Sequence, residues 1–432
     1  MKRIRGLHVP HSKNTAGCLP EKIPIPPEVR LPMKMHSGAP AKLTVKVGDA
    51  VKVGQLIGEV DGKVCSPVHS SVSGTVKSIV ELDSNTGQKA TSVVITTDGQ
   101  QTLYEGISPP TVTNLEEFLD AVMYSGVVGL GGAGYPTAPK LTFRESVKLD
   151  YILINGAECE PYITSDTRTM LDDAEYVVEG AKLVMEYIKP KNIIICIEEN
   201  KPEAISKMQE LTAGIDGMSV RVLPACYPQG ERKVLVYNVT GRIVPEGGRL
   251  NDVGCTVLNC TTVAVFARYI MTGMPLVSRC ITVDGPAVNT PKNVIAPIGT
   301  PIGALFDYCG GLKDNYKKIL MGGPMMGTAV PDLDMPTVKV TNAVLAFTEK
   351  EASQPEPTAC IKCGRCVSRC PMNLMPLNIE NAFEQKNTDL LQKYKVGMCA
   401  ECGCCAYLCP SKRPLAHVMV LSKNLLREVR QK

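Results

Sequence analysis

The chain reads Cys360-Ile-Lys-Cys-Gly-Arg-Cys-Val-Ser-Arg-Cys-Pro371 and repeats the same cysteine spacing in Cys399-Ala-Glu-Cys-Gly-Cys-Cys-Ala-Tyr-Leu-Cys-Pro410. In each motif, three thiolates separated by two residues can reach three corners of one iron-sulfur cubane, so a fourth thiolate must come from elsewhere. The proline helps to turn the chain away after the fourth cysteine. The doubled motif therefore predicts a domain with two [4Fe-4S] clusters that transfers electrons one at a time.

The fourth ligand of each cluster is expected from the opposite motif, as in two-cluster ferredoxins. One cluster would then be held by Cys360, Cys363, Cys366 and Cys409, and the other by Cys399, Cys402, Cys405 and Cys370. Zinc is the alternative, but a tetrahedral zinc site is complete with four ligands and does not explain two runs that end in proline. Cys404 is off register and is interpreted as a spare thiol beside a cluster.

Apolar residues between the motifs and in the tail have helical spacing. Leu377, Phe383 and Leu391 lie between the motifs, and Leu415 and Met419 follow them. This spacing predicts short packed helices with the clusters in the loops between them. We therefore expect residues 351–432 to form an α-helical two-cluster ferredoxin domain.

The bulk composition is that of a globular protein: 432 residues, 44% hydrophobic and 21% charged. A chain of this length is expected to form two to four domains. The net charge of +4 is too small to indicate a nucleic-acid partner. Eighteen cysteines without a visible signal peptide favour a reducing compartment. The most apolar window, residues 253–271, is interrupted by Asn259 and Arg268 and does not predict a membrane span.

The first hundred residues contain short alternating runs separated by Gly-Asp, Gly-Gln and Asp-Gly turns, which predict β structure. Two half-patterns, VGDAVKVGQLIGEV and SPVHSSVSGTVKSIV, echo each other and resemble a biotinyl/lipoyl-type barrel sandwich. Lys63 stands near the position of a modified lysine, but Gly62 precedes it instead of an acidic residue. We expect residues 1–108 to form this domain and favour an unmodified barrel that is used for contacts.

From residue 114 onward, helical spacing alternates with apolar strands. Leu115, Phe118 and Val122 suit a helix, and Tyr151-Ile-Leu-Ile-Asn155 and Ile193-Ile-Ile-Cys-Ile197 suit buried strands. This alternation predicts an α/β domain with a largely parallel sheet over residues 109–275. The strand-like sequence that begins at Ser278 predicts a small β-grasp-like module over residues 276–350.

A glycine-dense loop, Gly129-Leu-Gly-Gly-Ala-Gly134, precedes the first of those strands, and Lys140 follows the loop. Such loops let backbone N–H groups approach a phosphate closely, and a lysine can neutralise it. The loop lacks the Gly-Lys-Ser/Thr of a P-loop, and it comes before a strand, unlike a Rossmann fingerprint. Alone it also fits an ordinary tight turn.

Three later segments accompany this loop: Asn155-Gly-Ala-Glu-Cys-Glu-Pro161, Tyr227-Pro-Gln-Gly-Glu231 and Asn259-Cys-Thr-Thr262. In this order the four segments resemble the flavin- and NADH-binding subunit of respiratory complex I. The family pattern has an arginine where this chain has Leu130, an aspartate where it has Ala157, and a glutamate where it has Arg232. The resemblance implies FMN as a non-covalent cofactor and NAD(H) as a substrate.

The resemblance also implies roles for individual residues. FMN would be held by Gly129, Gly131, Gly132, Gly134, Lys140, Asn155, Asn259 and Thr262, with Lys140 near its phosphate. The nucleotide or the flavin edge would face Glu158 and Glu160, taken as the catalytic carboxylates, and Tyr227, Gly230 and Glu231. The plainer alternative for Glu158 and Glu160 is a solvated turn. A flavin suits the chemistry because it takes two electrons from a hydride donor and passes them on singly.

Over nearly its full length the chain resembles the C subunits of Rnf complexes, including Met321-Gly-Gly-Pro-Met-Met-Gly327 and the doubled cluster motif. That family implies a peripheral subunit on the cytoplasmic side of the membrane, in a complex that exchanges electrons between NAD(H) and ferredoxin and translocates Na⁺ or H⁺. The implied partners are the other subunits and, indirectly, ferredoxin. The alternatives are a soluble flavin/iron-sulfur protein that feeds a cobalamin-reductase-like or amino-acid-reductase system, and a non-catalytic electron relay or docking adaptor.

Overall fold

The structure is a computed structural model that describes residues 6–83, 89–144 and 146–431. It contains four parts in chain order: a β domain, an α/β domain, a mixed β module and a helical C-terminal domain. The order agrees with the prediction from the sequence. We number strands and helices in chain order below.

The β domain consists of two small sheets that enclose apolar side chains. Its sheets have the strand orders β2-β8-β7-β4 and β3-β5-β6. Val29 and Leu31 pair with Ile95 and Val93 across β2 and β8, and all four side chains are buried. Lys63 is exposed in the connection between β5 and β6. The strands of this domain are β2 (Glu28–Pro32), β3 (Lys42–Leu43), β4 (Ala50–Val51), β5 (Leu56–Glu59), β6 (Val68–His69), β7 (Gly74–Asp83) and β8 (Lys89–Thr97), and they are preceded by β1 (Glu21–Lys22), which pairs elsewhere.

The α/β domain is built on a parallel four-stranded sheet with the order β11-β10-β9-β12. Buried Phe118 of the first helix stacks on Tyr187, at 5.1 Å between ring centroids. The helices are α1 (Leu115–Tyr124), α2 (Thr137–Leu141), α3 (Ser165–Asp172), α4 (Ala174–Ile188), α5 (Pro202–Thr212), α6 (Arg232–Thr240) and α7 (Cys260–Thr272); the strands are β9 (Tyr151–Gly156), β10 (Asn192–Glu198), β11 (Met218–Leu223) and β12 (Cys255–Asn259), and a 3₁₀ turn covers Leu250–Val253.

The mixed β module is a six-stranded sheet with the order β1-β14-β13-β17-β15-β16. Its edge strand β1 comes from the N-terminal region, where Glu21 and Lys22 pair in parallel with Val294 and Ile295. Residues 21–22, which we placed in the barrel domain, therefore complete this module's sheet. The remaining elements are β13 (Ser278–Asp284), β14 (Lys292–Pro297), α8 (Ile302–Tyr308), β15 (Tyr316–Met321), β16 (Thr328–Ala329), β17 (Ala343–Thr348) and α9 (Glu349–Ala352).

The C-terminal domain is helical, as the spacing of its apolar residues predicts. Leu374, Ile379, Leu391, Val396 and Met419 form its own buried core. The helices leave both cysteine motifs in loops or in very short helical turns. They are α10 (Arg365–Ser368), α11 (Pro376–Glu384), α12 (Thr388–Lys393), α13 (Cys404–Tyr407) and α14 (Leu415–Gln431), with a 3₁₀ turn at Val396–Met398.

A buried lysine joins three of the four parts. The ammonium of Lys339 donates to the Ser66 hydroxyl at 3.0 Å, the Pro67 carbonyl at 2.5 Å and the Gly126 carbonyl at 2.7 Å. Burial lowers the pKa of Lys339 to about 7. The three acceptors use all three N–H donors of the ammonium, which offsets its desolvation.

A half-buried lysine ties the N-terminal segment to the α/β domain. Lys13 Nζ donates to the carbonyl oxygens of Glu158, Glu160 and Ile163 at 2.8, 2.8 and 2.5 Å. Leu7 in the same segment exchanges both backbone hydrogen bonds with Tyr227. The N-terminal segment thus fixes the two loops that carry most of the candidate nucleotide-contacting residues.

Candidate functional site

The parallel sheet reverses its strand order between β9 and β12. From β9 the chain proceeds to β10 and β11 on one side, and then returns to place β12 on the other. In open α/β sheets, ligands bind in the crevice outside the carboxyl ends of the strands at such a switch point. Asn155 is the next-to-last residue of β9, Asn259 is the last residue of β12, and the two lie opposite each other in register. The structure therefore brings two of the predicted FMN residues to the position that the fold reserves for a ligand.

The glycine-rich loop lies directly against this strand end. A Cβ atom on Gly131 would come within 2.7 Å of the Asn259 side-chain nitrogen, whereas one on Gly132 would meet nothing within 4 Å. Gly131 and Gly132 are exposed, and buried Leu130 anchors the loop from beneath. Glycine is required at 131 by this close approach. The space beside Gly132 is open, so a cofactor can approach the backbone closely there.

Thr262 holds this loop in place. Its hydroxyl donates to the Val128 carbonyl and accepts from the Leu130 amide, both at 3.0 Å. The neighbouring Asn259 caps α7 by accepting from the Thr262 amide at 3.1 Å, and its side-chain nitrogen donates to Asp166 at 2.7 Å. Both residues thus shape the crevice at the strand ends through contacts with protein groups.

Lys140 is a half-buried cation on α2, just after the loop. Burial, with a smaller effect of Arg232, lowers its pKa to about 8. Within the described ranges, neither the Lys140 ammonium nor the Arg232 guanidinium forms an ion pair or a side-chain hydrogen bond. Two neighbouring cations without a carboxylate partner fit the phosphate of a nucleotide or flavin. The sequence analysis does not predict Arg232 as a cofactor residue. The signal that could have identified it is the replacement of the family's glutamate by an arginine at this position.

Asn155 and Gly230 are brought together at the carboxyl end of β9. The Asn155 side-chain nitrogen donates to the Gly230 carbonyl at 3.0 Å, and its side-chain oxygen accepts from the Ala157 amide at 3.1 Å. Glu231 follows as the N-cap of α6, where its carboxylate accepts from the amides of Lys233 and Val234. Burial raises the pKa of Glu231. The predicted segments around 155 and 230 therefore form one wall of the crevice.

The carboxylate of Glu158 is engaged in capping a helix. It accepts from the Asp166 amide at 2.6 Å, and from the amide and hydroxyl of Thr167 at 3.3 and 2.5 Å. Glu158 itself has a φ of +49°, which turns the chain sharply after β9. The buried carboxylate thus stabilises the N-terminus of α3, a contact that the sequence did not indicate.

Glu160 lies between the α/β domain and the mixed β module. One carboxylate oxygen accepts from the Met325 amide at 3.0 Å, and the other lies 3.4 Å from the Tyr227 hydroxyl. Burial raises the pKa of this carboxyl to about 7. Glu160 can therefore hold or release a proton near neutral pH, which is a property expected of a functional carboxylate.

Tyr227 points towards the helical domain. Its side chain is buried, and its hydroxyl donates to the Cys402 carbonyl at 2.8 Å. Leu7, Val9, Cys402 and Cys404 pack around it. Tyr227, which is predicted to face the nucleotide, thus lies between the α/β domain and the second cysteine motif.

The second cysteine motif and Cys370 surround one apolar cavity. Its lining includes Cys370, Cys399, Cys402 and Cys405, the four cysteines expected on one cluster, and also Cys404. Backbone amides of Leu374 and Glu401 donate to the sulfurs of Cys370 and Cys399 at 3.4 and 3.3 Å. Four thiols in an apolar cavity, two of which accept N–H···S bonds, fit a [4Fe-4S] cluster. Throughout the described ranges, no three His, Cys, Asp or Glu side chains are grouped closely enough to hold a single metal ion.

The first cysteine motif lies nearer the surface. Cys363 is exposed, and Cys360, Cys366 and Cys409 are half-buried. The segment before Cys360 is tied to the segment after Cys409, because the Thr358 amide donates to the Ser411 carbonyl at 3.0 Å and the Ser411 hydroxyl donates to the Ala359 carbonyl at 2.9 Å. These contacts bring the two motifs side by side, as crosswise ligation requires.

Among the helices described, none is long and apolar enough to cross a membrane.

Four family models match the chain in the order of its domains. They are described as the RnfC barrel sandwich hybrid domain (residues 2–100), the Nuo51 FMN-binding domain (122–268), the SLBB domain (280–329) and the 4Fe-4S dicluster domain (359–412). The chain is also 39% identical over 404 residues to the C subunit of the proton-translocating ferredoxin:NAD(+) oxidoreductase complex of Clostridium ljungdahlii, covering 91% of this chain and 87% of the relative. The chain belongs to the RnfC family.

Two further relatives in the RnfC family are similar to this chain. The C subunit of the Na(+)-translocating ferredoxin:NAD(+) oxidoreductase complex of Acetobacterium woodii is 40% identical over 389 residues, covering 88% of this chain and 87% of the relative. The C subunit of the ion-translocating oxidoreductase complex of Klebsiella pneumoniae is 39% identical over 377 residues, covering 86% of this chain and 50% of the relative. The predicted family, fold class, FMN and [4Fe-4S] clusters are confirmed by these matches.

Proposed function

We propose that the chain is the subunit of a membrane-bound ferredoxin:NAD oxidoreductase that exchanges electrons with NAD(H). The complex would couple this exchange to Na⁺ or H⁺ translocation. The observation that carries the proposal is the direct contact of the flavin crevice with a cluster cavity, through Tyr227 and Cys402. A site for a two-electron donor and a site for a one-electron carrier thereby lie in contact within one chain.

FMN would be held at the switch point of the sheet. Lys140 and Arg232 would neutralise its phosphate, and the open space beside Gly132 would let the group approach the backbone. The bound flavin supplies the conversion between a hydride pair and single electrons. Asn155 and Asn259 keep the strand ends and the loop in place around it.

Glu160 is our candidate for the catalytic carboxylate. Its pKa of about 7 lets it hold a proton at the crevice edge during nicotinamide turnover. For Glu158 we propose a supporting role, because its carboxylate fixes α3 and the loop that carries Glu160. Tyr227 would exclude water between the crevice and the cluster cavity, since its side chain fills this space.

The arrangement supports one order of electron transfer. The cluster of Cys370, Cys399, Cys402 and Cys405 would exchange electrons with the flavin, because its cavity adjoins Tyr227. The cluster of Cys360, Cys363, Cys366 and Cys409 would then be the outer carrier, since Cys363 is exposed. The other subunits would receive or supply these electrons, with ferredoxin reached indirectly.

We place the subunit at the cytoplasmic face of the membrane, attached through the other subunits. NAD(H) is a cytoplasmic substrate, and thiol-ligated clusters suit a reducing compartment.

The test is spectroscopic. The purified, reconstituted chain should contain FMN and about eight irons, the number in two four-iron clusters. Adding NADH under anaerobic conditions should bleach both the flavin and the cluster absorbance. A protein with FMN and full iron content that does not respond to NADH would instead act as a relay or adaptor, or would use another donor.

A further inference from the structure

The loop of the first cysteine motif forms an exposed face of the helical domain. All residues from 361 to 369 except Cys366 are exposed. Two apolar side chains of this loop stand in solvent, Ile361 at 66% exposure and Val367 at 39%, and Tyr407 on the adjacent α13 is 49% exposed. Helices α10 and α13 pack together, so these side chains belong to one region. We call it the exit face, and it comprises Ile361, Lys362, Arg365, Val367, Arg369 and Tyr407.

The exit face carries one sign of charge. Lys362, Arg365 and Arg369 lie in a stretch, residues 357–379, that contains no aspartate or glutamate. Within the part of the chain that the structure describes, none of these three side chains forms an ion pair or a hydrogen bond. The carboxylates that follow, Glu380 and Glu384, are paired with Arg413. Three unpaired cations therefore surround exposed apolar side chains, although the whole chain has a net charge of only +4.

The position of the exit face beside the outer cluster indicates which kind of partner binds there. Cys363, an expected ligand of the outer cluster, is exposed there. The other cluster cavity adjoins the α/β domain and the loop of Met325, because Cys402 and Cys404 pack with Tyr227 and Met325. Electrons that leave the chain at the outer cluster must pass to a redox centre, which a protein can supply and a lipid surface cannot.

We propose that the exit face is the docking site of an acidic protein or domain that carries a one-electron centre, either an iron-sulfur cluster or a flavin. The proposal rests on the proposed function, since it takes the outer cluster as the point of exit. Opposite charges steer such partners into contact and raise the association rate, and they fix orientation more than they add affinity. Ile361 and Val367 would form the apolar centre of the contact, and the three cations its rim.

The experiment measures rebinding of the chain to its own complex after this subunit has been stripped from it in detergent. The test variant is Arg365→Glu/Arg369→Glu, and the matched control is Lys386→Glu/Lys393→Glu, which reverses two exposed charges elsewhere on the helical domain. We expect the association rate of the test variant to fall at least about tenfold at low ionic strength, with a smaller difference at high salt. The control should bind as the wild type does.

Two further measurements keep the outcome specific. NADH-driven bleaching of the isolated variant should equal that of the wild type, so a failure of the proposed function is seen separately. The neutral variant Arg365→Gln/Arg369→Gln should show an intermediate loss of rebinding, even where charge reversal disturbs iron content. Unchanged rebinding of both variants, or an equal loss in the control, overturns the proposal. Loss of binding only to phosphatidylglycerol vesicles, with rebinding to the complex intact, overturns it in favour of a membrane contact.

Discussion

The Tyr227 hydroxyl lies 2.8 Å from the Cys402 carbonyl oxygen and donates a hydrogen bond to it, across 175 residues of sequence. This bond joins the flavin crevice to the cavity of the second cysteine motif. Both partners are buried, so no water replaces the bond without rearrangement.

Tyr227→Phe should leave a buried carbonyl without its donor. We expect a loss of about 1–3 kcal/mol in the free energy of unfolding and slower reduction of the clusters by NADH, with FMN content unchanged. Thermal unfolding and stopped-flow absorbance would measure both effects. The control is Tyr316→Phe, whose side chain is 44% exposed. Equal behaviour of the two variants would contradict a coupling role for Tyr227.

Lys140→Gln should weaken FMN binding, because it removes a cation that no described carboxylate neutralises. A charge-assisted hydrogen bond is worth about 1.5–3 kcal/mol, which corresponds to a roughly ten- to hundredfold higher Kd for FMN. Fluorescence titration of the FMN-free protein would measure it. Lys182→Gln, on the exposed side of α4, should have no effect on FMN affinity. Unaltered affinity in Lys140→Gln would place the phosphate elsewhere.

Glu160→Gln should change how stability depends on pH. The Glu160 pKa is about 7 in the folded protein, against 4.5 as its ordinary value. The folded state therefore binds a proton that the unfolded chain releases, so the contribution of Glu160 is present below about pH 4.5 and is lost as pH rises through about 7. It amounts to roughly 3 kcal/mol. The Tm of the variant should fall less than that of the wild type across this window, and parallel Tm profiles would argue against the raised pKa.

Lys13→Met should loosen the loop of Glu158 and Glu160. It removes a half-buried ammonium that binds three carbonyl oxygens, which then lack this donor. We expect a loss of about 1–3 kcal/mol in the free energy of unfolding and a higher KM for NADH, with partial recovery in Lys13→Arg. Calorimetry and steady-state kinetics test this. Lys22→Met, on exposed β1, is the matched control and should change neither quantity.

Cys370→Ala should damage the cluster of the opposite motif. Cys370 lines the cavity of Cys399, Cys402 and Cys405, so its loss should remove about half of the roughly eight irons. Iron analysis and EPR of the dithionite-reduced protein would show which signal disappears. Cys404→Ala should keep both clusters, because Cys404 is off register. Loss of the signal that depends on Cys363 instead would refute the crosswise assignment.

The sequence predicted what depends on local spacing. Some patterns depend only on the local backbone conformation: the doubled cysteine run, the apolar run at 151–155 and the helical spacing at 115–122. The structure has short helices α10–α14 around the cysteine motifs, strand β9 at 151–156 and helix α1 at 115–124. Local spacing does not single out Asn155 and Asn259, which are predicted as cofactor residues only by the family resemblance. The sheet order places them opposite each other.

What the sequence did not indicate are contacts between distant segments. Lys13 lies 145 residues from Glu158, and nothing near it distinguishes it from a surface lysine. The turn of Glu158 to a φ of +49° directs its carboxylate to α3, which a residue type alone does not specify. Such contacts follow from how the domains pack, and the packing energy is spread over many residues.

The three hydrogen bonds of the Lys339 ammonium limit where this chain can be cut into separate domains. The ammonium is shared by the barrel, the α/β domain and the mixed β module, which read along the sequence as separable cassettes. A fragment that begins after the barrel would leave that charge facing solvent or apolar side chains, without two of its acceptors. A chimaera that exchanges only one of these three parts would have to preserve this junction, so we expect the three to be exchanged only together.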